Sequence, residues 1–341
     1  DLWEVRNNAF TEPVVALRGG EGPPPSDAFT FVYDPTRAKL ILGPGEDAYW
    51  EFDGATLRRF NTIDGLADGS PAPGDTLYWD VTAQRIVAIA DAKTQWQLVD
   101  DEWQFSCGEE CVSSGPENSS AAPVAYSERR RVLELFGPDE GLPPDGADAL
   151  LWAFDGESWT TPCTGACAAA GPTPRHAPAL ATDPSNGDLL LFGGGPVTPT
   201  NSFIESYLDL WRWDGTEWSC ESPPVCGRRD DTGCGFEIDP CNQLRSDFVE
   251  GLPEVTLEPG PLVVHPEGRG IYLFGGVRLF AVGERYYFDG VRWSSTSNNG
   301  TNRIPNGSAG SASVFDPTED TVLLLPANDP QLYRFSDVWY L

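Results

Sequence analysis

Short apolar runs, each closed by a turn signal, recur along the whole chain and predict strands rather than helices. Ala179-Leu180-Ala181-Thr182 runs into Asp183-Pro184, and Leu189-Leu190-Leu191-Phe192 runs into Gly193-Gly194. After a variable segment comes Leu210-Trp211-Arg212-Trp213, which meets Asp214-Gly215 before Thr216-Glu217-Trp218. Asp-Pro starts a tight turn because the aspartate side chain bonds nearby backbone N–H groups while proline presets φ. Asp-Gly is a strong hairpin signal, because a type I′ turn needs positive φ at both central residues. Each such stretch therefore predicts four short antiparallel strands.

The stretch repeats. A second clear copy runs from Val263-Val264-His265-Pro266 through Ile271-Tyr272-Leu273-Phe274-Gly275-Gly276 to Tyr287-Phe288-Asp289-Gly290-Val291-Arg292-Trp293. Weaker copies run from Phe31 to Gly54, Tyr78 to Trp103, Val124 to Trp159 and Val314 to Trp339. Quartets at this spacing predict an all-β fold, a β-propeller of six four-stranded antiparallel blades, with seven as the alternative. The blades are expected near 27–60, 75–106, 122–161, 176–219, 261–295 and 311–341, with an insertion at 220–260, in one domain covering 1–341. Residues 1–13, with Leu2-Trp3-Glu4-Val5 and Phe10, resemble the last half of a copy and are expected to close the ring against the C-terminal strands.

The copies resemble kelch repeats. Gly193-Gly194 and Gly275-Gly276 match the diagnostic double glycine, and Trp218 and Trp293 match the late tryptophan. Gly43-Pro44, Gly137-Pro138, Asp91 and Pro326 depart from it at the double-glycine position. The resemblance implies a propeller and no single activity, since propellers host binding proteins, scaffolds and enzymes. The related galactose oxidase-like propellers use a copper site with two histidines and tyrosines. Here His176 opens a strand and His265 takes a turn position on the opposite face, so the two imidazoles are not expected to meet, and copper is not expected.

Antiparallel connectivity delivers successive connections to alternate ends of a blade. The turns between first and second strands (A–B) and between third and fourth (C–D) share one face, and the B–C and D–A connections share the other. The first set is uniformly tight. The second holds Gly195–Ser206, Gly137–Asp148, Cys107–Ala121, Cys163–Arg175 and the insertion Cys220–Gly260. Variable connections gathered on a rigid scaffold are where binding usually resides, so ligand contacts are expected from Arg228, Arg229, Asp230, Asp231, Phe236, Glu237 and Asp239. The expected partner is a carbohydrate or a protein, and the alternative is a carbohydrate-active enzyme using Asp or Glu at the propeller mouth. No catalytic residue is nominated, because 52 acids single out no pair and nucleophile-elbow and phosphate-loop motifs are absent.

Charge and cysteine content narrow the setting. The formal charge of −30 opposes a phosphate backbone and an anionic membrane, so neither nucleic acid nor membrane insertion is expected. Asp230, Asp231 and Asp239 are the candidate calcium ligands, with Glu237, Asp64 and Asp68 behind them, and no other cofactor is expected. The eight cysteines fall in close pairs: Cys107 and Cys111, Cys163 and Cys167, Cys220 and Cys226, Cys234 and Cys241. Local disulfides in an oxidising compartment are favoured over zinc, with the pairing of the last four open. A secreted or cell-surface protein follows, read as a mature product starting at Asp1. Two lysines set against abundant alanine, glycine and proline fit a high-GC bacterial genome.

Overall fold

A computed structural model describes residues 2–6, 9–15, 30–43, 48–62, 71, 75–90, 94–107, 115–116, 123–137, 150–196, 207, 209–221, 258–265, 267, 270–277, 281–291, 293–296, 312–316, 321–325 and 333–335. In chain order, β1 (Leu2–Arg6) and β2 (Ala9–Val15) come first. Blade one follows with β3 (Thr30–Asp34), β4 (Lys39–Gly43), β5 (Ala48–Phe52) and β6 (Leu57–Thr62). Blade two has β7 (Thr76–Asp80), β8 (Arg85–Ala90), β9 (Thr94–Val99) and β10 (Glu102–Cys107). Blade three has β11 (Val124–Ser127), β12 (Val132–Gly137), β13 (Leu150–Phe154) and β14 (Trp159–Cys163).

A short helix α1 (Ala166–Ala170) and β15 (Arg175–His176) lead into blade four, made of β16 (Ala179–Thr182), β17 (Leu189–Phe192), β19 (Leu210–Trp213) and β20 (Trp218–Cys220). Between β17 and β19, β18 (Gly195–Pro196) turns aside to pair with β15. Blade five has β22 (Leu262–Val264), β23 (Ile271–Val277), β24 (Ala281–Phe288) and β25 (Trp293–Thr296), with β21 (Glu258–Pro259) extending its first-strand position along β23. The last described strands are β26 (Ala312–Asp316), β27 (Thr321–Leu325) and β28 (Tyr333–Phe335).

Among the described residues, five blades, not six or seven, are therefore antiparallel quartets, each drawn from one continuous stretch of chain. Among the described residues, the expected sixth copy supplies β26, β27 and β28, which join β1 and β2 in a mixed five-stranded sheet of order β2-β1-β28-β27-β26. Its joint is parallel, with Trp3, Glu4 and Val5 opposite Tyr333, Arg334 and Phe335. A tight hairpin fixes the direction of the strand that follows it. β1 arrives from the other end of the chain, so no hairpin imposes the antiparallel sense, and the expected uniform quartet gives way to a mixed closing sheet.

The core lies between sheets. Val32, Ile41 and Tyr49 of blade one pack on Trp79, Ile86, Trp96 and Leu98 of blade two. Tyr78, Val87 and Ile89 of blade two pack on Leu133, Leu135 and Phe154 of blade three. Phe136 and Leu151 meet Leu189, Leu191 and Trp213 of blade four, and Leu190, Phe192 and Leu210 meet Leu273, Phe288 and Trp293 of blade five. The closing sheet completes the round, since Leu323 is buried with Leu40, Leu42 and Trp50 of blade one, and Phe315 lies 5.7 Å from the His265 ring of blade five. Alternate residues of each strand thus serve two interfaces, which is why β4 and β17 read as nearly continuous apolar runs.

Candidate functional site

On the tight-turn face, carboxylates are consumed in holding turns. Asp53 Oδ1 accepts from the backbone N–H groups of Ala55 and Thr56 at 3.0 and 2.7 Å. Asp155 and Asp214 bond the same two positions of their own turns. The N–H groups of Ser158 and Glu157 hold the Asp155 carboxyl below its ordinary range, and the Thr216 hydroxyl, with the N–H groups of Glu217 and Thr216, does so for Asp214. Asp183 accepts from Ser185, and Arg212 bridges Asp183 and Asp188 at 3.1 Å each. His265 plays the aspartate's part in blade five, its Nδ1 accepting from the Glu267 N–H at 3.0 Å.

Blade two departs from this scheme. Asp100-Asp101 replaces Asp-Gly, and both residues take positive φ, 51° and 64°. Asp101 reaches across to Arg37 of blade one, which also pairs with Asp34. These residues, with Lys39 and Arg85, line a groove of about 400 Å³ between the blades. Most of its charges already have partners: Lys39 meets Glu51 at 2.8 Å, and Arg85 meets Gln97 at 2.7 Å. The groove is a seam of paired charges, and the strained Asp101 serves the inter-blade contact with Arg37.

The D–A connections carry a different kind of construction, and the one entering blade four reaches down to that blade's C–D turn, where Cys167 Sγ lies 3.8 Å from the Thr216 carbonyl oxygen. A disulfide joins Cys163 to Cys167, with Cα atoms 5.3 Å apart, at the end of β14 and inside α1. The connection then runs through Gly171-Pro172. A Cβ on Gly171 would lie 2.5 Å from the Trp218 ring, so glycine is required for the backbone to cover that tryptophan. Gly115-Pro116 repeats the arrangement over Trp159, where a Cβ would lie 2.7 Å from the ring. A Gly-Pro step in these D–A connections was available in the sequence, and its recurrence is the sign that they cross the next blade's late tryptophan.

Beyond Pro172 lies the best-built polar cluster of this face. Arg175 and Asp209 are 0% and 1% exposed and form a two-pronged ion pair, the second prong at 3.2 Å. Arg175 also donates to the carbonyls of Gly193 and Thr173, each at 3.0 Å. The Trp211 indole donates to Asp209 at 2.7 Å, and the Tyr207 ring lies over the guanidinium with its centroid 4.1 Å from Cζ. The cluster ties the D–A connection entering blade four to that blade's own B–C connection, with β15 and β18 paired alongside. Sequence reasoning missed it because Arg175 and Asp209 stand 34 positions apart. Asp209 stands directly before the apolar strand β19, but nothing in the sequence pairs it with Arg175.

Two further carboxyls are buried between blades. Glu51 meets both Lys39 and Arg58, and although burial pushes its carboxyl up, those two cations hold it below the ordinary value. Glu134 meets Arg130 at 2.5 Å, and there burial prevails, pushing its carboxyl up to about 7. A carboxyl of that kind is a candidate general acid when it faces a cleft. Glu134 is 1% exposed and sits against blade four, so substrate has no route to it.

No family model and no curated protein matches the chain. Among solved structures, it is similar to a protein of unknown function from Bacteroides thetaiotaomicron VPI-5482, with 10% identity, a TM-score of 0.49, and 89% of this chain and 68% of that one covered. It is also similar to a fungal alcohol oxidase of the AA5 family in complex with copper, with 12% identity, a TM-score of 0.47, and 87% and 57% covered. A GH74 xyloglucanase from Xanthomonas campestris matches with 15% identity, a TM-score of 0.47, and 92% and 47% covered. The chain thus spans about half the length of the oxidase and the xyloglucanase. These likenesses concern the fold alone.

The expected contact residues Arg228, Arg229, Asp230, Asp231, Phe236, Glu237 and Asp239 lie outside the described residues, as do Asp64, Asp68, Cys111, Cys226, Cys234 and Cys241. Cys220 is disulfide-bonded. Among the described residues, no three His, Cys, Asp or Glu side chains are grouped to hold a metal ion, and no helix is long and apolar enough to cross a membrane. His265 is buried on the tight-turn face, while the His176 backbone belongs to β15 on the other.

Proposed function

We propose that this chain is a secreted or cell-surface binding module of kelch type, a single propeller domain that engages a carbohydrate or protein on its B–C/D–A face. One observation carries the reading: the two faces are built differently. The A–B and C–D turns are tight and their aspartates are engaged by their own backbones. Of the opposite connections, the D–A ones and the B–C ones of blades three and four are long, the B–C ones of blades one, two and five spanning only three or four residues, and the connection into blade four is tied by Cys163–Cys167 and anchored by the buried Arg175–Asp209 pair. Ordering a connection in advance removes part of the entropy that binding would otherwise have to offset. The longest connection, 222–257, leaves β20 and returns to β21 on that same face and contains the residues from Arg228 to Asp239.

The test is binding to arrays of extracellular glycans and proteins, comparing the intact chain with a variant in which 228–258 is replaced by a short Gly-Ser linker. Saturable binding that weakens in the variant, without turnover of the bound glycan, is the expected outcome. Turnover abolished by a single Asp or Glu substitution on that face would contradict it.

A further inference from the structure

We propose that His265 is an acid-sensitive latch on the seam that closes the ring. It stands where other blades place an aspartate. Asp34, Asp80 and Asp183 each close a first strand and accept the backbone N–H two residues on, from Thr36, Thr82 and Ser185. His265 follows β22 and accepts from Glu267 in the same way, at 3.0 Å. A carboxylate keeps its accepting lone pairs down to about pH 4, whereas an imidazole takes up a proton near pH 6.5. Accepting at Nδ1 requires that nitrogen to be bare, so the ring is neutral and carries its one proton on Nε2. Protonation would set two donors against each other and undo the turn.

The latch is enclosed. His265 is 0% exposed, and its own N–H donates to the Gly270 carbonyl at 3.0 Å. The Tyr287 ring covers Gly270 so closely that a Cβ there would come within 2.2 Å of it. On the other side, the Phe315 ring of β26 lies 5.7 Å away. β26 belongs to the closing sheet, which is assembled from both ends of the chain. Charging an imidazole in such a place costs more than charging it in water.

Among the described residues, the faces packed on this ring carry little charge. Val314 and Leu323 turn toward blade one, so Ser313, Phe315, Val322 and Leu324 form the face toward blade five, and none of them titrates. Asp316, Arg334 and Glu4 hold the alternate register positions, with Val314 and Leu323. On blade five, Tyr272 stands opposite Val263 and Tyr287, while Arg285 stands opposite Phe274 at the far end of the strand pair. Glu267 is exposed, and Arg269, Glu319 and Asp320 of the adjoining turns lie outside the described residues. The closed seam therefore admits the neutral imidazole, and an opened seam admits both forms. Above about pH 6.5 the latch holds in full, and each pH unit below shifts the balance toward opening by up to about tenfold, or about thirtyfold at pH 5.

Hydrogen exchange of the whole chain, followed by mass spectrometry at pH 7.5 and pH 5 and corrected for intrinsic exchange, reads the seam directly. Protection of segments 262–265 and 312–316 is expected to fall by about tenfold or more at pH 5. In His265→Asn, whose amide oxygen can accept the Glu267 N–H and does not titrate, the change is expected to stay within about threefold. No fall in the unsubstituted protein, or an equal fall in both, overturns the latch. Should the variant fail to fold, nitrogen NMR of the imidazole in a His176→Asn background, which leaves one histidine, decides the matter at pH 7.5. A neutral ring protonated on Nε2 is expected, and a cationic ring, or a proton on Nδ1, overturns the proposal.

Discussion

The carboxyl of Glu134 makes stability depend on pH in a direction opposite to ordinary ion-paired acids. Buried against blade four, it is pushed from 4.5 up to about 7, because burial outweighs the pull of Arg130 and a hydrogen bond from Trp213, while Asp188 adds repulsion. A carboxyl with a raised folded value favours the folded state fully below about pH 4.5 and loses that contribution as pH rises through 7. At about 1.4 kcal/mol per pH unit, the loss across that window is about 3 kcal/mol. Glu134→Gln keeps the shape and removes the titration. Urea unfolding of both proteins, read by tryptophan fluorescence from pH 5 to pH 8, isolates the effect in the difference curve, where repulsion among the other acids cancels. The wild type is expected to fall relative to the variant by about 2 to 3 kcal/mol across that range. A flat difference curve, or one that rises with pH, would refute the claim that burial governs this carboxyl.

Three further outcomes follow from particular contacts. Arg175→Ala strands the Asp209 carboxylate in the interior, and a loss of about 3 to 5 kcal/mol in chemical denaturation is expected; a loss below about 1 kcal/mol would mean the pair is solvated. Gly171→Ala forces a Cβ against the Trp218 ring and is expected to cost about 1 to 3 kcal/mol, with a shifted tryptophan emission; Gly54→Ala meets no atom within 4 Å, so any cost there comes from its φ of 91°. Cys163→Ser with Cys167→Ser releases a loop of four-residue separation, and a loss of about 2 kcal/mol is expected, measurable as a lower melting temperature in the non-reduced protein.

Much of this architecture was legible because its signals are local. Asp214-Gly215 and Asp183-Pro184 mark turns whose chemistry lies within three residues, and the structure shows those aspartates bonding the backbone of their own turns. Antiparallel alternation then assigns every connection to a face without any further contact being known. The pairing of the N-terminal strands with the C-terminal ones was legible but its sense was not, since apolar pattern fixes which side of a strand is buried but not whether β1 runs parallel to β28. Nor was the Arg175–Asp209 pair, because a buried ion pair is a fact of three-dimensional placement and the chain offers 52 acids as partners. Glu134 and Glu51 show the same limit. They are equivalent in sequence as acids on apolar strands, yet one meets two cations and the other one, and only the second is driven toward neutrality.

The central claim is that the face bearing the long connections does the work. It is tested most directly by tethering the protein in two orientations, through an azide-bearing residue at Glu157 on the tight-turn face or at Ala177, the exposed residue between β15 and β16 on the other, and presenting each surface to the glycan and protein arrays. Binding is predicted when the Glu157 side is attached, and its loss when the Ala177 side is attached. Binding that survives attachment at Ala177 and vanishes at Glu157 would contradict it.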